Sequence, residues 1–75
     1  MKELLEYIVK QIVSKPEEVE VSETTSGNNV DLVVKVAEDD LGAVIGKSGK
    51  VANSIRSVVR ISAKKFNKRV NIKFM

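Results

Sequence analysis

Apolar and polar residues follow one another along this chain with two different periods. Leu4, Leu5, Ile8, Val9, Ile12 and Val13 recur three and four positions apart, with Glu3, Glu6, Lys10 and Gln11 between them. That spacing gathers the apolar side chains into one stripe of a helix. Ser14, Lys15 and Pro16 end it, because a proline drives the residue before it out of the α region. The period then becomes two. In EVEVSET, Val19 and Val21 alternate with Glu18, Glu20 and Ser22, which predicts a strand with one wet face. Ser26-Gly27-Asn28-Asn29 is rich in residues that accept a positive φ and predicts a hairpin turn. NVDLVVKV follows, with Val30, Leu32, Val34 and Val36 on one side, while Val33 on the other side predicts a better covered strand.

Helical signals then return. Glu38, Asp39 and Asp40 open a short helix that ends at Gly46. Acids at a helix start satisfy free backbone N–H groups and the helix dipole, so capping is expected of them rather than metal binding. A longer helix begins after Gly49. Val51, Ala52, Ile55, Val58, Val59, Ala63 and Phe66 form its expected buried stripe, and Asn53, Arg56, Arg60 and Lys64 a separate basic flank. Asn67, Lys68 and Arg69 turn the chain into a last strand, where Val70, Ile72 and Phe74 alternate with Asn71 and Lys73. The order α-β-β-α-α-β predicts an α+β sandwich of two layers, with the helices on one face of a three-stranded sheet.

Composition narrows the function. Seventy-five residues, 43% of them hydrophobic, allow one domain over 1–75 with a thin core. The chain has no cysteine and no histidine. That removes disulfides, thiol chemistry, most zinc sites and the commonest general base. No apolar run is long enough to span a membrane, and Glu3 and Glu6 interrupt what a secretory segment would keep apolar, so a cytoplasmic protein is expected. The net charge of +3 conceals a sharp division. Residues 1–40 hold ten acids and four bases, a balance of −6, whereas residues 41–75 hold nine bases and no acid. Such polarisation points to a polyanion footprint on one side of a small domain. It also leaves no general acid–base pair on the basic half, so neither catalysis nor a cofactor is expected.

Two of the four glycines fall in VIGKSGKVANSI, residues 44–55. The phosphate loop G-x-x-x-x-G-K-[ST] does not fit, because Gly42 and Gly46 have one residue too few between them. No two glycines are two apart, which excludes the dinucleotide fingerprint. What remains is G-x-x-G between two helices, with Lys47 and Ser48 at its variable positions and Lys50 directly after it. The stretch resembles the V-I-G-x-x-G-x-x-x-x-x-I signature of KH domains, whose loop clamps the backbone of four nucleotides. Because a helix and a hairpin precede the loop and one strand follows it, the order is similar to the prokaryotic, type II arrangement. PEEV near the start, VAEDDLGAVIGKSGKVANSIR and KRVNIKF extend the likeness over nearly the whole chain. They resemble the small bacterial single-KH proteins of the KhpA family.

This resemblance implies single-stranded RNA binding and an RNA-chaperone-like regulatory role. It also implies pairing with itself or with a larger multidomain KH protein of the KhpB kind, and a link to cell-shape and envelope control. On the residues themselves, Gly46 and Gly49 let a sugar-phosphate backbone lie against the loop, and backbone N–H groups at the helix start point at phosphates. Lys47 and Lys50 add charge and Ser48 a hydroxyl. Bases would then meet Leu41, Val44 or Ile45 on one wall and the last strand on the other, with Asn53, Arg56 and Arg60 extending the phosphate track. Tyr7, Phe66 and Phe74 sit outside the loop, so aromatic stacking is not expected.

One residue of the long helix is out of phase. Ile61 lies roughly 130° or more from the centre of the buried stripe, with Ser54, Ser57, Val58 and Lys65 as helical neighbours. Small residues beside an exposed isoleucine allow a second helix to approach, so a two-fold contact is expected there. The competing reading is an assembly subunit whose main role is dimerisation, with only weak nucleic-acid binding.

Overall fold

The computed structural model describes residues 1–75 and has the predicted element order. Helix α1 (Lys2–Ile12) leads through a 3₁₀ turn at Pro16–Glu18 into strands β1 (Glu20–Ser26) and β2 (Asn29–Lys35). A second 3₁₀ turn at Glu38–Asp40 opens helix α2 (Leu41–Ile45). Helix α3 (Lys50–Lys65) and strand β3 (Arg69–Phe74) complete the chain. The sheet order is β1-β2-β3. The β1–β2 pair is antiparallel, closed by a Gly27-Asn28 loop with positive φ at Gly27, and β2–β3 is parallel. A parallel pair needs a crossover, and α2, the glycine loop and α3 provide it.

The central strand is the best covered, as expected. Val30, Leu32 and Val34 of β2 are all buried, and they stand opposite Val70, Ile72 and Phe74 of β3. In β1 only Val21 is buried. Leu5 and Val9 from α1, Val44 from α2 and Ala52, Ile55, Val59 and Ala63 from α3 close over this face. The other face of the sheet carries Asn29, Asp31, Lys35, Arg69, Asn71 and Lys73, all exposed. Two layers around one thin core result.

Four expectations are corrected. Strand β1 begins at Glu20 rather than Glu18, because Pro16 fits the first position of a helical turn and draws Glu17 and Glu18 into it. Val58 is 46% exposed, on the rim of a groove between α1 and α3 that Ile8 and Ile12 also line. Phe66 is 65% exposed. The last buried residue of α3 is Ala63, and one turn later the helix has passed the packed layer. There Asn67 turns left-handed (φ 55°). Lys68 N–H donates to the Ala63 carbonyl at 3.0 Å and Asn67 N–H to the Lys64 carbonyl at 3.1 Å, closing the helix end.

The fourth correction concerns the acids at 38–40. No side chain caps the 3₁₀ turn or α2. Asp40, the only charged residue among the eighteen buried ones, reaches back to the end of α1 instead. Its Oδ1 accepts from Ser14 N–H (3.0 Å) and Ser14 Oγ (2.7 Å), and its Oδ2 from Lys15 N–H (3.1 Å). The hydrogen bonds from Ser14 hold its carboxyl below the ordinary 3.8. Beside it, Lys15 pairs with Asp39 at 3.2 Å, which raises the lysine pKa.

Candidate nucleic-acid interface

The loop Gly46–Gly49 joins α2 to α3 through backbone angles that glycine alone accepts easily. Gly46 has φ 75° and ψ 175°, a region essentially closed to other residues. A Cβ there would also lie 2.9 Å from Val51 Cβ and 3.0 Å from Val51 N, and would strike the Val51 methyl. Gly49 is left-handed (φ 75°, ψ 13°), but a Cβ on it would meet nothing closer than Asn53 Nδ2 at 3.9 Å. Between them Ser48 is also left-handed, at φ 56° and ψ 26°. Three positive φ values in four residues fold the loop tightly. Lys47, Ser48 and Lys50 are exposed, and no side chain caps the start of α3, so its N-terminus is open to an acceptor.

From the loop, one flank of α3 runs along β3. Arg56 is fixed on this flank by three contacts. Its Nη1 donates to Asn53 Oδ1 at 3.0 Å, its Nε to the Ile72 carbonyl at 3.4 Å, and its guanidinium lies 5.3 Å from the Phe74 ring centroid. Arg60 and Lys64 follow, both exposed. None of the nine bases after residue 40 forms an ion pair. The three ion pairs of the molecule are the N-terminus with Glu3, Lys10 with Glu6 and Lys15 with Asp39, all in the acidic half. A surface of this kind attracts anions without first giving up an internal partner.

The expected wall residues divide. Ile45 is 37% exposed and Leu41 half-buried, but Val44 is fully buried and belongs to the core, so its side chain offers the groove no surface. The short helix α2 cannot turn Leu41, Val44 and Ile45 all toward the groove, and Val44, which faces the core, is lost to packing.

A family model for the KH domain of KhpA and KhpB matches residues 2–74. The chain belongs to this KH-domain family. Among its relatives, the RNA-binding protein KhpA of Clostridium acetobutylicum is 48% identical over the full length of both chains. That of Clostridium perfringens is 45% identical, again over the full length of both. RNA-binding protein KhpA of Chlamydia trachomatis is 40% identical over all of this chain and 96% of its own. No solved structure matches.

Within this KhpA/KhpB KH domain, the part that sequence reasoning missed is a second role of Phe74. Its half-buried ring packs against the core, as its alternation predicts, and also supports Arg56. The residues expected at a dimer contact, Ser54, Ser57, Val58, Ile61 and Lys65, are all exposed on α3, at the three- and four-residue spacing of one helix face. The hydroxyls of Ser54 and Ser57 donate back to the Lys50 and Asn53 carbonyls, at 2.9 and 3.0 Å. No helix of the chain is long and apolar enough to cross a membrane.

Proposed function

We propose that this protein binds single-stranded RNA, with residues 46–49 clamping the sugar-phosphate backbone and Lys50, Asn53, Arg56 and Arg60 continuing the contact along α3. The observation that carries this reading is the tight, positive-φ GKSG loop at the head of a flank whose bases have no internal counter-ions. Leu41 and Ile45 face the bases on one side and β3 on the other. Membership in the KhpA/KhpB family supports it, since relatives carry the name RNA-binding protein. The role that fits is that of a cytoplasmic RNA chaperone and post-transcriptional regulator without catalytic activity, in which residues 1–75 act as one KH domain. It would work with a KhpB-type partner in cell-shape and envelope control.

Changing Lys47 and Ser48 together to Asp tests the clamp. Two anions replace a cation and a donor, so affinity for a single-stranded oligonucleotide should fall about 100-fold, close to 2.7 kcal/mol. Both side chains are exposed, so the melting temperature should barely move. For the wild type, log K against log salt should slope near −2 to −3 if about three to four phosphates are touched. Unchanged affinity in the folded variant refutes the clamp.

A dimer accompanies this reading. Ile61 is 63% exposed, and the Ile8–Ile12–Val58 groove continues the apolar surface across α1 and α3. A thin core gains from covering such a face. Two copies joined there would present two clamps and gain avidity on one RNA.

A further inference from the structure

At the far end of α3 from the glycine loop, the helix and the first residues of β3 border an open hollow of about 290 Å³. Four bases, Arg60, Lys64, Lys68 and Arg69, border it and no acid does; Asn71 at its edge donates from Nδ2 to Asp31 Oδ1 at 3.2 Å on the outer face of the sheet. Arg60 and Lys64 come from α3 and Lys68 from the turn that follows the left-handed Asn67, whereas Arg69 borders the hollow from β3 with its side chain on the outer face of the sheet. Arg60, Lys64 and Lys68 bring like charge to the hollow without an ion-pair partner, and an anion there relieves their repulsion. A phosphate group meets this need, since guanidinium and ammonium donors can surround its oxygens.

We infer that this hollow binds a phosphate of the RNA strand beyond the four nucleotides held at the loop. The inference rests on the clamp reading above. From Lys50 to Lys64 the helix rises about 21 Å, a reach of about six nucleotides at a stacked rise of about 3.4 Å. The side chains between, Asn53 and Arg56, are tied to each other and to β3, so they mark a continuous polar path from the loop to the hollow. The strand therefore runs along the whole α3–β3 flank and not only across its head.

The test compares a four-nucleotide with a ten-nucleotide oligouridylate, using wild type and Lys64→Gln/Lys68→Gln. Lys64 is exposed, Lys68 half-buried and neither forms an ion pair, so the variant should fold normally. The ten-mer should lose about tenfold in affinity and about one unit of salt slope, while the four-mer is unaffected. Amide resonances of Lys64, Lys68 and Arg69 should shift with the ten-mer and not with the four-mer. Equal loss for both lengths, or no loss for either, overturns the inference. So does an equal shift on adding pyrophosphate at the same concentration, which would make the hollow a general polyphosphate site. Failure of the clamp itself reads differently, because Lys47→Asp/Ser48→Asp would then retain the four-mer.

Discussion

The two halves of the molecule use charge in opposite ways. Residues 1–40 contain every ion pair, and their one buried carboxylate, Asp40, ties α1 to the turn before α2. Residues 41–75 contain nine bases and pair none of them with an acid. Five of the first half's ten acids, Glu3, Glu6, Asp31, Asp39 and Asp40, therefore have partners within the fold, whereas the second half leaves its bases without acids and shapes its loop by glycine geometry. A chain this small keeps the two uses apart by segregating them in sequence.

The sharpest way to break this contrast is to disturb the loop's shape without touching its charge. Gly46→Ala combines a forbidden φ/ψ with a clash against Val51, and should cost about 3 kcal/mol or more. In a domain of this size that lowers the melting temperature by about 10 °C or more. Gly49→Ala meets open space and bears only the left-handed penalty, about 1 kcal/mol. Urea or thermal denaturation compares them. Equal losses would mean that the seat of Val51 does not distinguish the two glycines.

Next in size is the charge of the first half. Asp40→Asn keeps the shape but removes the carboxylate, so the melting temperature at neutral pH should drop by several degrees while RNA affinity of the folded protein stays within about twofold. The sign in acid follows from the depressed pKa. The unfolded chain binds this proton near 3.8 and the folded one only lower, so the stabilisation is complete above 3.8 and lost as pH falls through the folded value. Acid denaturation of the wild type should accordingly be steeper below about pH 3.8 than that of the variant. Parallel curves would remove Asp40 from the account.

The smallest expected effect concerns the second half's other face. Ile61→Asp should give a folded monomer whose RNA affinity falls about tenfold through lost avidity, with the loop intact. Sedimentation showing a monomeric wild type at tens of micromolar, or a dimeric variant, refutes the contact.

Periodicity carried the element order into view, because each apolar stripe here has a single layer to face. The glycine loop was equally visible, since its spacing and its basic neighbours are local. Phe66 was not: its helical phase matches the core, but phase does not say where the sheet stops. Val44 shows the same blindness in reverse, because a motif position does not reveal which neighbour the core will take. Asp40 looked like a cap since its partners lie twenty-five and twenty-six residues upstream. Arg60 and Lys64 were legible as one basic flank, but Lys68 read only as part of a turn until the left-handed Asn67 set it beside them.

The central strand has neighbours acquired on two schedules. Strand β1 reaches β2 across a two-residue loop, but β3 pairs residue 30 with residue 70 and must wait for α2 and α3 to carry the chain across. Contacts so far apart in sequence are the costly ones to close during folding. The groove between α3 and β3 joins neighbours in sequence, but its β3 wall is held in place by that late pairing with β2. A chain still folding can thus hold a formed hairpin while it has no place for RNA, and competence to bind arrives only with the closing strand.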